Sequence, residues 1–445
     1  MTRFATGTDV ATGAPREAAD IAYRKVFRRV VWYLFVLYLC SYLDRINIGF
    51  AALAMNRDLG LTPTTFGIAN TVFYFGYMLF EVPSNLMLAR FGARTWLARI
   101  MITWGIASTA TALATGATSL YVLRLLVGIA EAGFVPGVLL YLTYWFPQAY
   151  RARANGLFMV AQPLTIAFGS LLSGNILRMN GMFGLEGWRW LFVLEGVPSI
   201  VLGAFTFFYL KDGPREAAWL SAAEKTTITE QLAAESTAGA TRHGSVWTEL
   251  RSRDVLLLCL TYFGLVSTLN TNATWVPQIV REILGGQGDF VRVGVWAAIP
   301  ALLTVVAMPI WSLRSDRQQE RLWHVTIPMA AAAAGWLLVT FSTVPLVRFA
   351  GLALVSIGGF CGMSIFWTLP ASILSQAARP AGIALISTAG IFGSAVSPSI
   401  IGFLRDETGT FTSGLLYMVA LLIASIGCVW VSARGWRQAA LGRAA

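Results

Sequence analysis

Four ionisable residues sit inside sequence that is otherwise as apolar as a lipid tail. Asp44 and Arg45 belong to "SYLDRINIGF" (41–50), which follows "VVWYLFVLYLC" directly. Arg124 and Glu131 belong to "RLLVGIAEAGFVPG" (124–137). In hydrocarbon such groups are costly, face partners or a water-filled path, and mark ion or substrate routes. Carboxyl groups there can take up and release protons. Arginines stay charged and grip a carboxylate through a two-pronged fork. Together the four suit proton-linked handling of an anion. A static salt-bridge network would use the same residue types, and a carrier that breaks and remakes its pairs can combine both roles.

The elements that must position them are membrane helices. The chain has 445 residues, 56% hydrophobic and 12% charged, against roughly 25% charge in a soluble domain. Apolar runs of about 20 residues recur, the length that crosses roughly 30 Å of hydrocarbon. They lack the alternation of a membrane barrel, which leaves helices as the spanning element. An all-α polytopic membrane protein of twelve transmembrane helices is expected, with spans over 29–50, 66–88, 96–116, 119–141, 152–177 and 188–210. The remaining six cover 254–280, 290–312, 323–342, 345–374, 378–404 and 412–433. This divides the chain into an N-terminal tail (1–28), a first six-helix bundle (29–210), a linker (211–253), a second bundle (254–433) and a C-terminal tail (434–445).

Charge sets the orientation. Of the 33 Lys and Arg, seven fall in one set of loops and two within spans, leaving 24 on the side of the tails and linker. Positive residues mark the cytosolic side, so both termini and the linker are expected in the cytosol. For the same reason the net charge of +11 reports topology and does not imply a nucleic-acid partner. No cleavable signal peptide is expected, since the first apolar run is too long.

Depth follows from helix rise. Counting from residue 29 at about 1.5 Å per residue, Asp44 lies roughly 22 Å in, well within the membrane. Arg124 and Glu131, seven apart, share a helix face about 10 Å apart along the axis. A shift of 226 residues aligns Arg153 with Arg379, Gly156 with Gly382 and Gly133 with Gly359. Two similar halves are typical of transporters whose substrate site lies between them. Under this shift Arg124 and Glu131 meet Ala350 and Ile357, and Asp44 meets Asn270. Charge handling is therefore expected in the first half. Asn270, Trp367, Thr368 and Thr388 of the second would offer neutral contacts. Gly133 and Gly137 read as a close-packing pair. Tyr77 and Gln162 are weaker substrate candidates, and Glu81 and Glu195 read as conformational salt-bridge partners.

Other classes find little support. The four cysteines all lie in apolar segments without metal-ligand spacing, and the two histidines fall in or beside hydrophilic loops. No metal site, nucleophile elbow or phosphate loop is expected, and hence no enzyme, no metal and no organic cofactor. A receptor would need a signalling domain, which neither the tails nor the linker offers. A drug/proton antiporter remains an alternative, opposed by two arginines in the expected pocket.

Several stretches resemble the major facilitator superfamily, specifically its anion:cation symporter family. They are "YLDRINIGFAA", "EVPSNLMLARFGARTWLARIMITWG", "RLLVGIAEAGFVPG", "GWRWLFVLEGVPS" and "SDRQQER". The resemblance covers nearly the whole chain. It implies a twelve-helix, two-bundle fold in the bacterial inner membrane and proton-coupled uptake of organic anions such as tartrate, galactonate, glucarate, phthalate or hydroxyphenylacetate. The proton is then the coupling ion, and a single chain is expected to work alone. By motif match, Asp44 and Glu131 correspond to the proton-coupling carboxylates and Arg45 and Arg124 to the arginines for anion binding. Tyr77 and Gln162 match substrate-contact positions. The gating motifs fall at Arg90 and Arg94, with Ala89 where an acidic residue is usual, and at Asp316 and Arg317. In "ISTAGIFGS", Ser387 and Ile391 replace asparagines frequent in relatives. That leaves fewer hydrogen bonds for a sugar acid and favours an aromatic or less hydroxylated carboxylate, held against Phe366 and Trp367. In the expected cycle Asp44 and Arg45 act as two halves of one exchange. Protonation of Asp44 and Glu131 frees Arg45 or Arg124 from internal pairing, and the substrate carboxylate takes the vacated place.

Overall fold

A computed structural model describes residues 13–238, 249–286, 289–318, 320–374 and 378–441. The described chain is helical throughout. In the first half run α1 (Gly13–Val26), α2 (Trp32–Asp58), α3 (Pro63–Phe91), α4 (Ala93–Ala110), α5 (Ala117–Glu131), α6 (Phe134–Thr143), α7 (Gln148–Ile176) and α8 (Gly187–Tyr209). The linker carries α9 (Ala222–Ala238). The second half comprises α10 (Arg253–Ile283), α11 (Phe290–Gln318), α12 (Leu322–Phe341), α13 (Pro345–Phe366), α14 (Pro370–Ile373), α15 (Arg379–Thr408) and α16 (Thr412–Leu441). Ten helical segments among the described residues are long and apolar enough to cross a membrane, so this is an all-α, multi-pass membrane protein. Helix α3 covers the expected span 66–88 and α4 covers the first part of 96–116, ending at Ala110; both fall outside those ten.

Local chemistry sets the helix ends. Thr62 caps α3, its hydroxyl accepting from the Thr65 N–H at 3.2 Å, and Pro63 supplies a first residue that needs no donor. Ser252 caps α10 in the same way. Gly92 and Gly409 end α3 and α15 at φ +85° and +70°, where glycine avoids the Cβ penalty. Prolines persist inside α3, α7, α8, α10, α11, α12 and α15. In a membrane, neighbouring groups can satisfy the carbonyls they free.

Three differences from the expected boundaries matter. Residues 13–26 of the supposed tail form α1, joined to α2 by a π-helical stretch (Phe27–Val31). The helix α2 then continues eight residues beyond 50, which puts Asp44 near mid-length, about 21 Å from the Asp58 end. The expected span 119–141 breaks at Ala132-Gly133, directly after Glu131. The expected span 345–374 likewise breaks, at 367–369, before the short α14.

Helix contacts define how the halves meet. In the first half α2 packs on α7 and α8, and α5 on α3 and α4. In the second, α10 packs on α13, α15 and α16. Between the halves, α3 packs on α15, α7 on α11 and α2 on α10. Glycines allow the backbones to close in. A Cβ at Gly67 would sit 2.6 Å from the Pro398 carbonyl oxygen, and one at Gly294 2.4 Å from that of Ser170.

Candidate functional site

The charged residues of α2 diverge by one helical step. Successive side chains on a helix point about 100° apart, and Asp44 and Arg45 leave α2 toward different neighbours. Arg45 Nε donates to Glu131 Oε1 at 2.6 Å, and Ser41 Oγ donates to the same oxygen at 3.2 Å. Glu131 is fully buried, and its Oε2 has no hydrogen-bond partner. The Arg45 guanidinium lies 5.0 Å from the Tyr77 ring centroid and 6.0 Å from that of Phe73, contacts that favour a cation.

Gly133 shapes this corner. It adopts φ +85°, and a Cβ there would meet Ser84 Oγ at 2.5 Å. The glycine thus ends α5 immediately after Glu131 and lets α3 approach the break. Spacing with Gly137 suggested a packing pair. The close approach is present, but the positive φ is the stronger demand.

Arg124 is the unusual member. It is 3% exposed and lies 4.7 Å over the Phe73 ring. Among the described residues it has no carboxylate within 4.0 Å, and its Nε has no acceptor. A guanidinium buried this way has no carboxylate in contact, and Glu131 and Asp44 act on its charge only from beyond 4.0 Å.

Asp44 does not pair with Arg45, which changes the expected exchange. Its carboxylate turns into the first half and accepts four hydrogen bonds. Trp104 Nε1 donates to Oδ2 at 2.6 Å and Ser199 Oγ at 3.1 Å. Ser108 Oγ donates to Oδ1 at 2.8 Å and Asn47 Nδ2 at 3.3 Å. Glu195 was expected in a salt bridge. Among the described residues no cation lies within 4.0 Å of it, and its one close donor is Ser173 Oγ at 2.8 Å. Nor does Glu81 pair with a cation at that distance.

In the second half Asn270 is committed to structure. Its Oδ1 accepts from Tyr74 Oη across the halves at 2.8 Å, and its Nδ2 donates to the Ser394 carbonyl at 2.8 Å. Phe366 is fully buried and stacked on Tyr262, with centroids 5.0 Å apart, so it offers no free surface. Trp367 is half-buried, edge-on to the same tyrosine at 4.8 Å. Thr368 and Thr388 are exposed and donate to the carbonyls of Ile365 and Ala384 in their own turns. Ser387 and Gln162 are half-buried. Ile391 packs across the halves on the cluster of Phe73, Tyr77, Val127 and Ala132, next to the Arg45–Glu131 pair.

The gating candidates separate. The Arg94 backbone N–H donates to Asp212 at 2.8 Å, and its side chain reaches the same carboxylate at 4.0 Å. Asp316 pairs with Arg321 at 2.8 Å. Arg317 is exposed, and Arg90 lies over Phe91 at 5.6 Å.

The hydrogen bonds that cross between the halves are Arg281 to the Leu53 carbonyl, Thr64 to Asp406, Thr71 to Ala395 and Ser399, and Tyr74 to Asn270. Among the described residues all of them lie from mid-membrane toward the face opposite the linker. The sequence reading missed Tyr74, Ser41 and the cage around Asp44. Helical spacing offered a signal: Ser41 precedes Arg45 by four, Tyr74 precedes Tyr77 by three, and Trp104 precedes Ser108 by four.

The pattern of the Major Facilitator Superfamily matches residues 34–398. The chain belongs to that superfamily. This facilitator is 43% identical over 422 residues to an Agrobacterium vitis protein named "Putative tartrate transporter", covering 95% of this chain and 93% of that one. It is 37% identical over 401 residues to a quinolone resistance transporter of Acinetobacter baumannii, covering 90% and 92%. Among solved structures, the D-xylose-proton symporter superposes with a TM-score of 0.73 at 13% identity, covering 91% and 97%, a likeness of fold. This facilitator is a transporter and not an enzyme.

Proposed function

We propose that this facilitator is a proton-coupled symporter of the anion:cation type, carrying a small organic carboxylate into the cytosol by alternating access. In this reading the twelve expected spans form two six-helix bundles, 29–210 and 254–433, in the inner membrane of a bacterium. The tails and linker face the cytosol, and one chain suffices. The excess of Lys and Arg on the linker side supports that orientation. The cross-half hydrogen bonds then lie toward the periplasm, the arrangement of an inward-facing carrier.

The observation that carries the reading is Arg124, a buried guanidinium with no carboxylate in contact among the described residues, beside a second arginine held by a single carboxylate. Such a charge is stabilised by an anion. When Glu131 takes up a proton, it releases Arg45. Arg45 and Arg124 can then grip a carboxylate between them, with Tyr77, Gln162, Trp367, Ser387 and Thr388 lining its surroundings. Loss of the proton to the cytosol returns Glu131 to Arg45 and expels the anion. The proton is the coupling ion, and no other cofactor enters. Arg94, Asp212, Asp316 and Arg321 would latch the cytosolic side in the alternate state, with Arg90 and Arg317 as their neighbours.

The relative's name makes tartrate the first substrate to test. The apolar Ile391 beside the pair favours carboxylates with few hydroxyls, so hydroxyphenylacetate and phthalate belong in the same panel. Purified protein should be stabilised against heat by at least one of these acids, and Arg124→Ala should abolish the effect. Stabilisation by neutral or cationic compounds and by none of these acids would overturn the anion reading; a quinolone, the drug class in the Acinetobacter relative's name, carries a carboxylate itself and belongs in the acid panel. Uncompensated positive charge in the site argues against a cationic drug.

A further inference from the structure

On the side of α2 away from Arg45 lies a second buried polar cluster that the proposed anion cycle leaves unexplained. It contains two carboxylates, Asp44 and Glu195, 2% and 1% exposed. The Asn47 amide lies between them, bonded to Asp44 at 3.3 Å and facing Glu195. Ser199, one turn beyond Glu195 on α8, binds Asp44. Among the described residues the elements around Glu195 bring no cation within 4.0 Å of it. From α2 come Asp44 and Asn47, from α7 Ser173, and from α4 Ser108 and Thr109. Arg189 on α8 is bound to Glu186 and the Ala112 carbonyl, and Arg178, two residues beyond α7, is exposed.

The two acids are solvated differently. Asp44 accepts from Trp104, Ser108, Ser199 and Asn47, which fills both oxygens in the way an ionised carboxylate requires. Glu195 has the Ser173 donor on Oε1, and its Oε2 is buried without a partner. Two neighbouring buried carboxylates, with no cation within 4.0 Å among the described residues, strongly disfavour carrying both charges. The donors choose Asp44 for the charge.

We propose that Asp44 and Glu195 form a second proton-binding site, which holds one proton between them, carried by Glu195 in this state. The site lies on the other side of α2 from the Arg45–Glu131 contact, and Glu131 and Arg124 of α5 act on Asp44 from beyond 4.0 Å. Motion of α2 against α4 and α8 would open the Trp104–Ser108–Ser199 cage. The proton can then pass from Glu195 Oε2 to Asp44, one O–H bond breaking as the other forms, with no net change in charge. The site deepens the symport reading, yet its existence does not depend on any substrate.

Infrared titration of the purified full-length protein in detergent tests it without a transport assay. The C=O stretch of a buried carboxylic acid should be present near neutral pH. It should shift in protein labelled with 13C-glutamate, stay in place with 13C-aspartate, disappear in Glu195→Gln and persist in Glu131→Gln. The labelled wild-type protein gives the Glu-against-Asp answer even if Glu195→Gln does not fold. A band that survives in Glu195→Gln, or that follows aspartate or Glu131, overturns the assignment. So does a band erased by sodium chloride but kept in choline chloride, which would mean that the pair holds a metal cation. In liposomes, the pH profile of tartrate uptake should be flatter for Glu195→Gln than for wild type. If wild type moves no tartrate, the transport reading suffers while the infrared result still decides the proton site.

Discussion

Two charge clusters flank α2, and they are opposites. Toward the second half lie Arg45, Arg124 and Glu131, with one more positive group than negative and an arginine left uncompensated. Toward the interior of the first half lie Asp44 and Glu195, with no cation within 4.0 Å among the described residues. The first cluster borders the surface between the halves, where Tyr74 and Ile391 bridge them. The second is sealed among α2, α4, α7 and α8. One residue step along a helix thus separates a surface suited to an anion from a store suited to a proton. Adjacent placement in sequence suggested an Asp–Arg exchange. The geometry instead gives each residue its own partner, and α2 becomes the element through which the two clusters feel each other.

The anion side should be the more fragile in function. Arg124→Ala removes a guanidinium that has no carboxylate in contact and rests on the Phe73 ring. Charge-assisted hydrogen bonds are worth roughly 1.5–3 kcal/mol, so uptake into proteoliposomes should fall about a hundredfold while the melting temperature holds or rises. An undiminished uptake rate would separate Arg124 from the substrate. Glu131→Gln should have a smaller effect on exchange. With Arg45 freed for good, counterflow of labelled tartrate should continue within about tenfold of wild type, but a pH gradient should no longer drive accumulation. Accumulation that still follows the gradient would move the coupling proton elsewhere, with the Asp44–Glu195 pair as the first place to look.

Much of this was legible in the sequence because membranes impose strong rules. Apolar runs near 20 residues marked helices, and the cost of burying charge marked Asp44, Arg45, Arg124 and Glu131. What escaped was direction. Spacing places Asp44 and Arg45 at one depth, but only the packed neighbours decide that Asp44 meets Trp104 and Arg45 meets Glu131. Glu195 illustrates the same limit: a lone acid in an apolar run implies a partner, and the assumption of a basic one was wrong. Asn270 was read as open to substrate, whereas Tyr74 and Ser394 use its amide. The break after Glu131 was hidden because glycine in a membrane helix usually means close packing, and a positive φ has no sequence mark of its own.

That break sharpens the comparison from the structural side. Gly133→Ala forces a Cβ into the left-handed region, at about 1–2 kcal/mol, and against Ser84 Oγ at 2.5 Å. The melting temperature should fall by several degrees. Because the strain sits two residues from Glu131, the pH dependence of uptake should shift as well, whereas the infrared band of the Asp44–Glu195 pair should not move. If both move together, the clusters are mechanically one unit.

The smallest effect belongs to an ion pair outside both clusters. Lys25 at the end of α1 meets Glu224 of α9 at 2.5 Å. The Lys25 hydrogen bond, with the Ser221 backbone, holds the Glu224 carboxyl below its ordinary value. Stability from a depressed carboxyl is present above its unfolded pKa and is lost as pH falls through the folded one. The pair therefore contributes at neutral pH and fades in acid. The Lys25 side chain is 48% exposed, so water screens the attraction and Lys25→Ala should cost no more than about 0.5 kcal/mol. Transport should be unchanged at neutral pH, and the small loss in melting temperature should vanish on acidification. Arg45→Ala breaks a pair of the same chemical type at 2.6 Å. There the stranded Glu131 lies buried and loses its one cationic partner. The ratio of the two effects measures what the membrane adds to one carboxylate–cation contact. Equal effects would mean that water reaches Glu131 freely.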